Sequence, residues 1–171
     1  MKDVSGRTDQ KRGVIIIFCG PPGAGKSTIA RRLAEVLGDS IVLSTDQLGS
    51  RAYLKMEREV ENNLGKHRYL ILDGTFYKRE QRNRIHDLTS GKVNLILVHV
   101  NCPLKVCLER NRLREKPIPD RGVISIWRAF ERPESPDVYV DSLRLRPEQA
   151  VDLIINMVNK AQQTTAYDAS S

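Results

Sequence analysis

Residues 14–28 read V-I-I-I-F-C-G-P-P-G-A-G-K-S-T, and the fold follows from how they are parsed. The six apolar residues from Val14 to Cys19 suit a strand buried on both faces. Glycine and proline then interrupt the chain, and beyond Lys26 the residues Ile29, Leu33 and Leu37, with Ala30 and Ala34 beside them, recur at helical spacing until Gly38. Strand, glycine-rich turn and helix in that order fit G-x-x-x-x-G-K-[ST], the phosphate loop. Gly20, Gly23 and Gly25, with Ala24 among them, let backbone N–H groups turn inward around a polyphosphate. The helix that begins near Lys26, Ser27 and Thr28 adds its unpaired N–H groups and the positive end of its dipole. Lys26 is then expected to reach the β and γ phosphates, and Ser27 to give its hydroxyl oxygen to Mg²⁺. A loop that only joined a strand to a helix would require neither the Lys-Ser pair nor this spacing.

Outward from this stretch, apolar runs alternate with helical patterns. Residues 41–43 predict a short strand, and Leu48, Ala52, Met56, Val60 and Leu64 recur every fourth position, predicting one helix that stops at Gly65. Residues 69–72 and 93–100 predict two more strands. Between them, 78–88 reads as a basic surface helix with a thin seam of Ile85 and Leu88. Pro103 opens a helix carrying Leu104, Cys107, Leu108 and Asn111. Val123, Ile126, Trp127 and Phe130 share one helical stripe, which places Trp127 and Phe130 in the core. Residues 138–140 form the last strand, and Val151, Ile154, Ile155 and Val158 the last helix, opened by Pro147. The alternation predicts an α/β fold in three layers, a five-stranded parallel sheet with helices on both faces. Ligands in such a sheet bind outside the carboxyl ends of the strands. One domain over 14–160 is expected, with flexible tails at 1–13 and 161–171.

Composition narrows the partners. A net charge of +7 over 171 residues points to an anionic ligand, either a nucleotide, a nucleic acid or a phosphorylated or sulfated metabolite. Three cysteines without a C-x-x-C pair suggest neither a disulfide framework nor zinc, so a reducing, cytoplasmic setting is expected. No apolar run approaches the ~20 residues of a membrane span, and residues 1–13 lack the apolar core of a secretory signal. His67, His86 and His99 are scattered without metal-ligand spacing.

Other phosphate-loop classes fail on particular residues. The Asn159-Lys160 pair is followed by Ala161-Gln162 and not by the x-D of a GTPase base-reading segment. Asp73 is followed by Gly74 where a motor ATPase carries Glu, and no L-S-G-G-Q occurs. The loop G-P-P-G-A-G-K-S-T, Ser44-Thr45-Asp46, Asp73-Gly74-Thr75, the Arg-rich 109–114 and the ending E-R-P-E-S-P-D-V at 131–138 together resemble the small P-loop kinase family over nearly the whole chain. Length and the E-R-P-E-S-P-D-V ending resemble adenylylsulfate kinases. D-G-T-F-Y-K-R-E-Q-R at 73–82 resembles seryl-tRNA kinases and the kinase half of polynucleotide kinases.

The resemblance implies ATP and Mg²⁺, and a strand order of 2-3-1-4-5. That order sets Asp73 near the metal and its waters, and Asp46 farther out, facing the acceptor hydroxyl as the group that orients or deprotonates it. Read locally, each aspartate is also an ordinary turn or N-cap carboxylate. Arg110, Arg112, Arg114, Lys116 and Arg121, broken by Pro117 and Pro119, resemble a closing lid, with Arg110 and Arg114 as the phosphate contacts. Lys78, Arg79, Arg82 and Arg84 suit an anionic acceptor or a solvated helix face, and Phe76 and Tyr77 suit a base stack or packing. By analogy, Ser142 and Arg144 lie where the adenine of this family sits. The expected acceptor is a hydroxyl-bearing, nucleotide-like anion, with adenylylsulfate first and RNA or tRNA as the alternative. A nucleotide-binding regulator without an acceptor, and a homodimer, are left open.

Overall fold

The computed structural model describes residues 13–168, with side chains to Thr164. Residues 1–12, most of the expected N-terminal tail, lie outside the described residues. The elements run β1 (Val14–Cys19), α1 (Lys26–Leu37), β2 (Ser40–Ser44), α2 (Thr45–Leu48), α3 (Ala52–Asn63) and β3 (Tyr69–Asp73). They continue as α4 (Arg79–Thr89), β4 (Asn94–Asn101), α5 (Leu104–Arg112), α6 (Asp120–Ala129), β5 (Val138–Asp141) and α7 (Pro147–Asp168).

The strands form one parallel sheet in the order β2-β3-β1-β4-β5, as the family resemblance implied. Alternation along β1 feeds two cores. Val14, Ile16 and Phe18 pack with buried residues of α1 and α7, and Ile15, Ile17 and Cys19 with those of α3 and α4. Since successive side chains point to opposite faces, a six-residue apolar run is what a central strand between two helical layers requires. Register carries this order to the carboxyl edge: Asp73 lies level with Phe18 on β1 and Ser44 on β2. The phosphate loop, Thr45 and Asp46, and Gly74 and Thr75 therefore all leave the sheet at one edge.

Two predicted elements differ. The single helix expected over 48–64 is broken, because Gly49 and Arg51 both have positive φ, 67° and 56°. The Gly49 N–H closes α2 on Thr45 O, and α3 begins afresh at Ala52. At the other end, α7 continues through Asp168, so residues 161–168 are helical where a frayed tail was expected. Ala161 packs on the core, and Gln162 accepts a hydrogen bond from Arg68 and donates one to the Tyr69 hydroxyl. Trp127 and Phe130 are half-buried against the two cores, with Trp127 Nε1 donating to Cys102 O.

Candidate active site

At this edge a cleft of about 790 Å³ opens between the phosphate loop, α2, the segment 73–75 and the end of α5. Its floor is the loop between β1 and α1. Gly23 is compulsory there, because its φ is +83° and a Cβ would stand 2.3 Å from Cys107 O. Gly20 donates its N–H to Thr75 O and Ala24 donates its own to Pro21 O, so these two amides brace the loop. Ala24 is fully buried. Gly23, Gly25, Lys26, Ser27 and Thr28 line the cleft.

Lys26 is 7% exposed, and its ammonium donates to Pro21 O at 3.0 Å. Burial pushes its pKa down, opposed by the negative charge of Asp73 and Asp46 among others. A buried ammonium flanked by carboxylates and facing an open cleft fits a polyphosphate, whose oxygens would replace the hydration that burial removed. Ser27 and Asp73, the latter 6% exposed, line the same wall and have the oxygen chemistry a hard divalent cation needs.

Asp73 leads into a tightly held turn. A Cβ on Gly74 would stand 2.9 Å from the Thr45 methyl, so only glycine lets β2's exit lie against β3's. Phe76 follows with φ 40°, a costly conformation for an aromatic residue. Three contacts hold it. Its N–H donates to Tyr53 Oη at 2.9 Å, its carbonyl accepts from Arg82 Nη1 at 2.6 Å, and its ring meets the Tyr53 ring edge-on at 5.1 Å. The Tyr53 hydroxyl also shares a hydrogen bond with Thr75 Oγ1 at 2.8 Å, which holds the threonine in the cleft wall. Tyr53 carried no sequence signal beyond a place on a helix, and Thr75 was visible only as the residue after Asp-Gly.

The arginines divide. Arg110 lines the cleft and donates to Ser142 Oγ and Ser142 O, both at 3.1 Å, and to Ala24 O at 3.4 Å, so it ties the loop to the end of β5. Arg114 lies past the end of α5, so the helical i, i+4 relation to Arg110 does not hold, yet it also lines the cleft and pairs with Asp46. Arg112 points elsewhere and pairs with Asp120. Arg144 is exposed and lies against Asp141.

The basic cluster on α4 is not a free cationic face. Lys78 pairs with Glu131, Arg79 with Glu134 and Arg84 with Glu57. Arg82, expected on the surface, is 6% exposed and binds the carbonyls of Phe76 and Glu131. Phe76 is fully buried, which removes it from base stacking.

The profile of a family described as an AAA domain matches residues 15–133. L-seryl-tRNA(Sec) kinase of Methanococcus maripaludis is 25% identical over 75% of this chain, which spans 59% of that kinase's length. Adenylyl-sulfate kinase of Buchnera aphidicola subsp. Schizaphis graminum is 30% identical over 79% of this chain and 75% of its own. The fold matches that of Mycobacterium tuberculosis APS kinase in complex with AMPPNP and APS, with a TM-score of 0.69 at 19% identity, covering 86% of this chain and 98% of that one. Among the described residues no helix is long and apolar enough to cross a membrane.

Proposed function

Because the chain belongs to the P-loop kinases matched by that AAA-domain profile, we propose that it transfers the γ-phosphoryl group of ATP to a hydroxyl of a small anionic acceptor. The observation that carries the reading is one cleft lined by Lys26, Ser27, Asp73, Asp46 and Arg114, with Lys26 buried and Asp46 paired to Arg114.

Phosphoryl transfer asks the protein mainly for positioning and cationic surroundings. Lys26 and the first-turn amides of α1 would hold the polyphosphate, and Ser27 and Asp73 would hold Mg²⁺, the aspartate through water. Bound together, ATP and Mg²⁺ supply the transferable phosphoryl group and neutralise the charge that develops on it. Asp46 would receive the hydroxyl proton or fix the hydroxyl in line. Arg110 holds the loop against the end of β5, and Arg114 brings a second guanidinium over the acceptor end.

The E-R-P-E-S-P-D-V stretch at 131–138 is the feature through which the sequence resembles adenylylsulfate kinases. Glu131 and Glu134 of that ending are bound to Lys78 and Arg79, so packing accounts for their presence. ADP release with ATP, Mg²⁺ and an acceptor panel tests the proposal. Lys26→Ala is expected to lower kcat/KM by at least about 10²-fold with its circular dichroism unchanged. Asp46→Asn should lower kcat while the ATP dissociation constant stays within about twofold, whereas equal losses in both would make Asp46 a structural residue.

A further inference from the structure

The acceptor end of the cleft is specific enough to name a chemical class, on the premise that the chain is a kinase. No aromatic residue is among the described residues lining the cleft. Phe76 is locked in the core, and Phe130 is stacked on His99 at 5.4 Å. A nucleobase acceptor therefore meets no ring among the described residues lining the cleft, a contact worth about 1–3 kcal/mol per base where it occurs. The α4 cations that an RNA backbone would use are paired with Glu131, Glu134 and Glu57 or turned inward.

What the acceptor end does offer is polar and small. Ser44, Thr45, Gln47 and Thr75 present hydroxyl and amide groups, and Asp46 in α2 pairs with Arg114 just past the end of α5. A carboxylate accepts hydrogen bonds from hydroxyls, and a guanidinium donates in a planar fork to a carboxylate or phosphate. Seating a ligand there exchanges their ion pair for contacts with the ligand, and a molecule carrying both an anionic group and a hydroxyl supplies a partner to each. We propose that the acceptor is a small, non-aromatic polyol bearing one anionic group, with Arg114 binding the anion and Asp46 the reacting hydroxyl. In the transfer, the hydroxyl oxygen bonds to the terminal phosphorus as the bond from phosphorus to the bridging oxygen breaks. The hydroxyl proton passes to Asp46, and ADP leaves with the electron pair.

The test uses the full chain with ATP and Mg²⁺, following ADP release and, by calorimetry, binding. The arms are aldonates from glycerate to gluconate, ribitol 5-phosphate, adenylylsulfate and a 5′-hydroxyl oligoribonucleotide. At least one polyol anion should stimulate ADP release by about tenfold or more, with neither nucleotide arm doing so. Arg114→Ala should raise the KM of that acceptor by roughly tenfold or more, the loss expected for a charge-assisted hydrogen bond, with the ATP dissociation constant held within about twofold and partial recovery in Arg114→Lys. Stimulation by adenylylsulfate or RNA overturns the polyol assignment and leaves the kinase reading standing. ATP binding without stimulation by any arm overturns both, and an Arg114→Ala variant with unchanged acceptor KM removes Arg114 from the acceptor site.

Discussion

Arg82 gives Nη1 and Nη2 to backbone carbonyls, Phe76 O at 2.6 Å and Glu131 O at 2.8 Å, and so joins the turn beside the cleft to the segment that leads into β5. Its burial pushes its pKa down, yet a guanidinium is basic enough to stay charged at neutral pH. Arg82→Leu leaves two carbonyls without donors and frees the strained Phe76, so a loss of about 3 kcal/mol in urea unfolding is expected, with lower kcat. His99 is a second buried polar group, 4% exposed. Burial, then Arg132 and Arg82, pushes its pKa from 6.5 down to about 4. Between these values the unfolded chain binds a proton that the folded chain refuses, so stability is lost as pH falls through that window. From pH 7 to pH 5 this amounts to about 2 kcal/mol, and His99→Phe should lose correspondingly less over that interval in denaturant titrations at the two pH values. Neither residue could be placed from sequence. Arg82 sits in a run of cations and His99 in an apolar strand, and only the packed neighbours decide which side chains are desolvated.

At the scale of elements, β1, the phosphate loop and α1 were legible because one short stretch holds the whole signal: a saturated apolar run, obligatory glycines and a 3.6-residue stripe. The break between α2 and α3 was not. Leu48 and Ala52 are four apart on either side of it, so the apolar rhythm passes through, while the left-handed turn at 49–51 rests on a single glycine and on Arg51, a residue with no preference for positive φ. The break keeps α2 a four-residue stub with Asp46 in its first turn, beside the cleft. The end of α7 was missed for a related reason, since A-Q-Q-T-T has no apolar stripe and its helix is held by contacts with β3, Arg68 and Asn94. Truncation after Lys160 removes those partners and is expected to cost about 2 kcal/mol in chemical denaturation. An unchanged midpoint would return the segment to the status of a tail.

Over the molecule, the cations of the described residues do not form one surface, although the chain carries a net charge of +7. Among the described residues the cations divide: Lys78, Arg79 and Arg84 are in ion pairs, Lys26 and Arg82 are buried, and Arg31, Arg110 and Arg114 line the cleft. The expectation for ligand binding is global: Mg²⁺-ATP at about 100 times its dissociation constant should stabilise the fold by about 2.7 kcal/mol, seen as a higher Tm that Lys26→Ala loses. The sequence by itself determined the sheet, the phosphate loop, the edge where the candidate site lies and the kinase family, because apolar periodicity, glycine placement and a contiguous motif are local properties of the chain. The tertiary structure decided which cations face the cleft, that Phe76 is core, and that Arg114 meets Asp46. Those depend on desolvation and on contacts between residues far apart in the chain, which no local pattern encodes.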